Sequence, residues 1–470
     1  MSAGGSLRAT LLRGNVLWVS LVSLWTDLAS EMMNPLLPIF VAGLVPVGAA
    51  PIVLGAMEGL ADATASVVKL VSGRLSDRLG RRKPLVLWGY GLSSLARPAM
   101  ALAMAGWQVI GLKFVDRIGK GLRTSPRDAL LADAAPPGQR ARVFSFHRAM
   151  DHTGAVLGPM VALGLLYLLL GRAVWRGDAA VGDEMDALRV VFALGLVPGL
   201  AAVLTLALGV REQAPAAVVR TEARAEGPAE GLPPRFYGFV AAATTVALGN
   251  SSDLFLLLFA RERFGLGALE LVLLWSGLHV AKVIFSMPGG ALADRLGRRP
   301  AILGGWGLYA LCYLGFAWAQ TLAQFAGLLA VYGLYYGLTE GALKAMVTDF
   351  TAPHQRAGAF GVFHAAVGLA ALPASLLFGV FWAELGARAA FTIGAALAGA
   401  AALLLALVRP PRLSCRACAF GHGPADMCER ACPGGQVGRW SGRKVVRSAG
   451  GRRTPRRCGR RPRGPRRPAR

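Results

Sequence analysis

The sequence predicts an all-α polytopic membrane protein, with twelve transmembrane helices arranged as two pseudo-symmetric six-helix bundles. Three observations carry this. The 470 residues are 54% hydrophobic and only 16% charged, with a mean hydropathy of +0.48; soluble chains carry about 25% charged residues. Apolar stretches long enough to cross hydrocarbon as helices recur along the chain. A ten-residue motif then recurs about half a chain later.

The spans fall at 15–43, 50–72, 84–104, 107–126, 145–170, 188–209, 236–260, 268–290, 300–319, 322–345, 358–382 and 388–408. Within lipid every backbone polar group needs an internal partner, and short alternating strands are absent, so helices are expected rather than a barrel. The first span holds Pro35 and Pro38, which should disrupt its helix. Residues 1–209 form the first half, 210–235 a linker rich in Ala, Pro, Glu and Arg, 236–408 the second half, and 409–470 a basic, Cys- and Arg-rich tail expected to be disordered.

The net charge of +25 divides unevenly. The 62 residues from Arg409 carry 18 basic and 2 acidic side chains, a net of +16, which leaves +9 for the other 408. In the body the basic residues crowd the connections after even-numbered spans: Arg74, Arg78, Arg81, Arg82 and Lys83; Arg127, Arg140 and Arg142; Arg295, Arg298 and Arg299. Positive residues mark cytoplasmic loops, which predicts a multi-pass protein of the cytoplasmic (inner) membrane with both termini cytoplasmic. Met1 to Arg13 reads as a lead-in to the first span rather than a signal peptide.

The repeat is specific. Gly73-Arg-Leu-Ser-Asp77-Arg78-Leu-Gly80-Arg81-Arg82 returns as Gly290-Ala-Leu-Ala-Asp294-Arg295-Leu-Gly297-Arg-Arg299, an offset of 217. Asp133-Ala-Ala-Pro-Pro-Gly-Gln-Arg140 returns as Asp349-Phe-Thr-Ala-Pro-His-Gln-Arg356, an offset of 216. Two matches at nearly one spacing indicate a duplicated unit. Parallel repeats place a substrate path at their interface.

Over 1–408 these features resemble the major facilitator superfamily. The resemblance implies a rocker-switch secondary transporter, with Asp77 as an acid that latches the halves and Arg78, Arg81 and Arg82 as its basic surroundings; the bland alternative is that the arginines only set topology. Arg117-Ile-Gly-Lys120-Gly121 is similar to a family motif associated with proton coupling, although Lys120 stands where that motif is neutral. Gly154-Ala-Val-Leu-Gly158-Pro159 is similar to a motif of exporters and antiporters, although Ala162 and Leu163 replace two later glycines. Parts of the chain also resemble a branch with nickel-resistance exporters and uncharacterised bacterial permeases.

Ionisable residues inside spans are costly and generally face a cavity or one another. Asp27 and Glu31 in span 1, Glu58 and Asp62 in span 2, Arg117 and Lys120 in span 4, Asp151 in span 5, Asp253 in span 7 and Glu340 in span 10 are the candidates for a coupling or substrate cavity. Asp27, Glu31 or Asp253 is the expected coupling acid; the alternative is a structural ion pair, for example Asp116–Arg117 with a neighbouring span or Glu340–Lys344 at one helix turn. His147, His152, His279 and His364 invite a metal reading without fixing ligand spacing. In the tail, Cys415, Cys418, Cys428 and Cys432 form a weak zinc pattern. Lipid binding, nucleic-acid binding and a frame artefact compete to explain the rest of the tail, and no function rests on it.

The expectation is a non-enzymatic, proton-coupled exporter of a drug-like cation or divalent metal, powered by the proton gradient with no cofactor. It is expected to be monomeric, with the lipid bilayer and a small-molecule or ion substrate as partners and no nucleic acid. No phosphate-binding loop supports direct nucleotide drive. A non-transporting receptor on the same fold is the alternative.

Overall fold

In the computed structural model the described residues are 10–46, 50–171, 180, 182–212, 231–250 and 253–408. The tail cysteines and most of the linker lie outside them. The body separates as one compact unit ending at Pro411.

The described segments are helical. They are α1 Gly14–Glu31, α2 Leu37–Ala42, α3 Ala50–Leu79, α4 Lys83–Ala99, α5 Gly106–Ala134, α6 Arg140–Leu170, α7 Asp183–Leu194 and α8 Leu196–Gly209 in the first half. The second half holds α9 Pro234–Gly249, α10 Leu254–Phe264, α11 Ala268–Leu296, α12 Arg298–Trp318, α13 Leu322–Asp349, α14 Arg356–Leu385 and α15 Ala387–Leu407. Read with α1–α2, α7–α8 and α9–α10 as single broken crossings, they give the twelve spans. Seven helical stretches among the described residues are long and apolar enough to cross a membrane by composition. The others are interrupted, short, as in the 17-residue α4, or charge-bearing, as in α3 and α5.

The interruptions have local causes. After α1, Asn34 N–H still reaches the Ser30 carbonyl at 2.9 Å, but Pro35 and Pro38 contribute no donor, and Pro38 sits in the first turn of α2. This is the disruption the two prolines predict. The α9–α10 break at Asn250 was not foreseen; there the freed Gly249 carbonyl accepts from Tyr309 Oη at 2.8 Å. Broken helices survive at membrane depth where they are buried in protein or line a cavity.

Packing repeats the sequence symmetry. Within the halves α3 lies on α5 and α11 on α13; between them α3 packs on α14 and α6 on α11. The second half has an aromatic core in which Trp306, Tyr309, Tyr313, Phe316, Phe325 and Tyr332 are fully buried.

Candidate transport pathway

At the end bearing the basic loops the halves are closed by two equivalent contacts. Asp77, near the end of α3, accepts hydrogen bonds from the Gly358 N–H at 2.6 Å and the Ala357 N–H at 3.2 Å. Asp294, near the end of α11, accepts from the Ala141 and Arg142 N–H groups, both at 3.1 Å. Each carboxylate therefore meets the free N–H groups in the first turn of a helix from the other half, where the helix dipole favours negative charge. Glycine makes the approach possible: a Cβ at Gly73 would lie 2.2 Å from the Ala357 carbonyl oxygen, and one at Gly290 2.4 Å from Ser145 Oγ. Gly80 turns the chain out of α3 with a left-handed φ of 61°.

The surrounding bases do not share this task equally. Arg82 pairs with Asp133 and donates to the Pro353 carbonyl at 3.0 Å, while Arg356 reaches the same Asp133. In the second half Asp349, the repeat equivalent of Asp133, pairs with Arg298, one residue before the equivalent of Arg82. Arg78, Arg81 and Arg295 are exposed, so the basic ring expected around Asp77 narrows to Arg82.

Away from this closed end lies a two-part cavity. An inner pocket of about 150 Å³ is lined by Asp27, Ser30, Glu31, Asn34, Arg97, Lys113, Asp116, Arg117, Lys120 and Arg123 among others. An outer chamber of about 600 Å³ shares Glu31, Asn34, Leu37, Lys113 and Arg117 with it and adds apolar walls from both halves, including Leu54, Met57, Leu257, Leu271 and Trp275. Asp27 and Glu31 owe their position to α6: Cβ atoms at Gly154 or Gly158 would come within 2.4 Å of the Leu24 carbonyl oxygen and 2.8 Å of Glu31 Cβ. The two glycines thus let α1 lie directly on α6.

A model of the Major Facilitator Superfamily matches residues 16–281 and 276–417. The chain belongs to this superfamily. It is similar to an uncharacterised MFS-type transporter, MJ1317, of Methanocaldococcus jannaschii, at 28% identity over 84% of this chain and 94% of the relative. A shorter stretch, 32% of this chain and 36% of the relative, is 30% identical to the multidrug resistance protein MdtH of Proteus mirabilis. Among solved structures, the fucose:proton symporter FucP of E. coli shares the fold with a TM-score of 0.67 at 14% identity, covering 84% of this chain and 98% of that one. The protein is accordingly a multi-pass facilitator-type transporter and not an enzyme.

In this facilitator two clusters of intramembrane charges tie the halves together. Arg148 of α6 bridges Asp151, on its own helix, and Glu340 of α13. Glu340 also meets His152 Nε2 at 3.1 Å, and Asp151 is held by Ser23 of α1. Below them Asp128 of α5, fully buried, gathers Arg127 at 3.0 Å, Lys344 of α13 at 3.1 Å and His364 of α14 at 2.8 Å. The one-turn Glu340–Lys344 pair considered from the sequence is therefore replaced by two cross-half contacts. Asp116 and Arg117 each pair with a neighbouring span, as the ion-pair alternative expects: Asp116 with Arg97 of α4 at 2.9 Å and Arg117 with Glu58 of α3 at 3.3 Å.

Of the candidate cavity residues, Asp27, Glu31, Arg117 and Lys120 line the inner pocket. Glu58 reaches Lys113 and Arg117 at 3.3 Å each, and Asp62 lies 4.0 Å from Arg117. Asp151 and Glu340 belong to the inter-half network. Asp253 stands in a separate cluster, paired with Lys282 at 3.0 Å and accepting from Tyr332 at 3.2 Å and Tyr336 at 2.9 Å. Lys113 and Arg123, further charges inside span 4, also form pocket walls, and Arg97 is the wall residue the sequence reading missed, although its charge inside span 3 was the available signal. His152 and His279 meet edge to face with ring centroids 5.3 Å apart, His147 is buried with neither ring nitrogen hydrogen-bonded, and among the described residues no group of three or more His, Cys, Asp or Glu is placed to hold a metal.

Proposed function

We propose that this transporter moves a small amphipathic solute out of the cell by proton-linked alternating access, with the 15–209 half rocking against the 236–408 half. The observation that carries this reading is the asymmetry of the pathway: Asp77 and Asp294 close one end, and a charged cavity lies beyond them. Opening the other way requires those carboxylates to leave their helix N-termini and the Arg148–Glu340 and Asp128–Lys344 pairs to separate. Asp27 and Glu31 are the coupling acids in this scheme. Both line the inner pocket without a basic partner on their own helix. The contact of Gly154 and Gly158 with α1, and the partial likeness to a multidrug resistance protein, support export as the direction. Placement in the cytoplasmic membrane with both termini inside rests on the basic loops.

The test is flux in proteoliposomes carrying a pH dye. Solute gradients should drive proton movement in the wild-type protein, and the Asp27→Asn, Glu31→Gln double variant should move solute without protons. Solute flux with no proton movement in the wild type would overturn the coupling, and saturable binding without any flux would favour a receptor.

A further inference from the structure

The charge of the cargo follows from a count around the inner pocket. Five basic side chains, Arg97, Lys113, Arg117, Lys120 and Arg123, face three acidic ones, Asp27, Glu31 and Asp116. Asp116 is committed to Arg97 at 2.9 Å. Arg123 is 4% exposed and turns to the Ser93 hydroxyl, the Gly89 carbonyl and the face of Tyr90, none of which cancels its charge. Lys113 and Arg117 pair with Glu58 at 3.3 Å each, and Arg117 also lies 4.0 Å from Asp62, but both carboxylates stand outside the inner pocket's lining with side chains 48% and 57% exposed. Lys120 makes no ion pair with any described residue. A positive excess at membrane depth is costly unless a counter-charge visits it. The chamber that opens onto it is walled by apolar side chains such as Leu54, Met57, Leu271, Val272 and Trp275.

We propose that the cargo is an amphipathic organic anion. Its carboxylate, sulfonate or phosphate head enters among Lys113, Arg117 and Lys120, and its apolar body fills the outer chamber. The head is held by charge-assisted hydrogen bonds of the kind that ammonium and guanidinium groups give to oxyanions. This rests on the reading of the cavity as the substrate path, and it reverses the cationic cargo expected from the acids of span 1. Those acids share the pocket with the bases, so neutralising one raises the positive excess and strengthens the hold on an anion; for a cation the same change would weaken it.

The test uses the full-length protein in lipid nanodiscs, titrated calorimetrically with naphthalene-2-sulfonate and with 2-naphthylmethylammonium, and empty nanodiscs as the blank. The sulfonate should bind saturably and at least tenfold more tightly than the ammonium. Lys120→Gln should weaken it about tenfold, Lys120→Arg should retain it, and Glu31→Gln should tighten it severalfold. The Glu31→Gln arm decides the matter even if Lys120→Gln does not fold. Tighter binding of the ammonium, loss of sulfonate affinity in Glu31→Gln, or saturable binding of neither probe would overturn the proposal. Proteoliposome flux separates the two readings: sulfonate binding without flux would sink transport and leave the anion site, whereas ammonium flux without sulfonate flux would sink the anion and leave transport.

Discussion

Asp128 shows how much a single buried charge organises. It is fully buried and faces Arg127, Lys344 and His364 at 2.8 to 3.1 Å, and two of these three come from the other half. Removing one partner of a buried ion pair leaves an uncompensated charge, at about 3–5 kcal/mol. Asp128→Ala is therefore expected to lower the thermal unfolding midpoint in detergent by more than Asp62→Ala, since Asp62 lies 4.0 Å from Arg117 with a 57% exposed side chain. The pairing was illegible in the sequence. Asp128 and Lys344 are 216 positions apart, the same offset as the second motif pair, so they occupy equivalent places on α5 and α13 and meet only because the halves face each other. By contrast Asp77 was legible, because its motif is local, contiguous and present twice.

At the scale of helices, the decisive contacts are made by glycines that bring backbones together. A side chain at Gly73 would push into the Ala357 carbonyl of α14, and one at Gly158 into Glu31 on α1. These two lesions should be distinguishable. Gly73→Val wedges the closed end, so the distance between spin labels at Arg78 and His354, read by pulsed electron resonance, should lengthen by several ångströms. Gly158→Val displaces the α1 acids from the pocket while leaving Asp77 and Asp294 capped; flux should fall at least tenfold with that label distance unchanged. Helix positions were largely readable because hydropathy records them. The breaks were less so: prolines announced the one between α1 and α2, whereas the one after Gly249, held by Tyr309 from α12, was marked only by the turn-forming run Gly249-Asn-Ser-Ser-Asp253, which also reads as polar groups inside a span.

Across the whole molecule, the two latches invite a double-mutant cycle. Asp77→Asn and Asp294→Asn each weaken one charge–dipole contact, worth roughly 0.3–2 kcal/mol. Both belong to one closing interface, so the double variant should shift the conformational equilibrium at least as far as the two single effects combined, measured with the same spin labels. A result no larger than one single variant would mean that only one latch bears on closure. Truncation after Pro411 should leave flux unchanged, because the twelve crossings end at Leu407.

The sequence by itself determined the class of this protein. Hydropathy counts crossings, basic loops orient them and a duplicated motif reveals two halves, all of which are properties of neighbouring residues. Tertiary structure decided which charges meet. Arg97 finds Asp116 across two helices, Arg148 finds Glu340 across the halves, and a surplus of bases is left around the inner pocket. The physical reason is that a buried charge is defined by what lies within a few ångströms of it. Along a membrane helix those neighbours belong to other spans, whose rotation and depth no local pattern encodes.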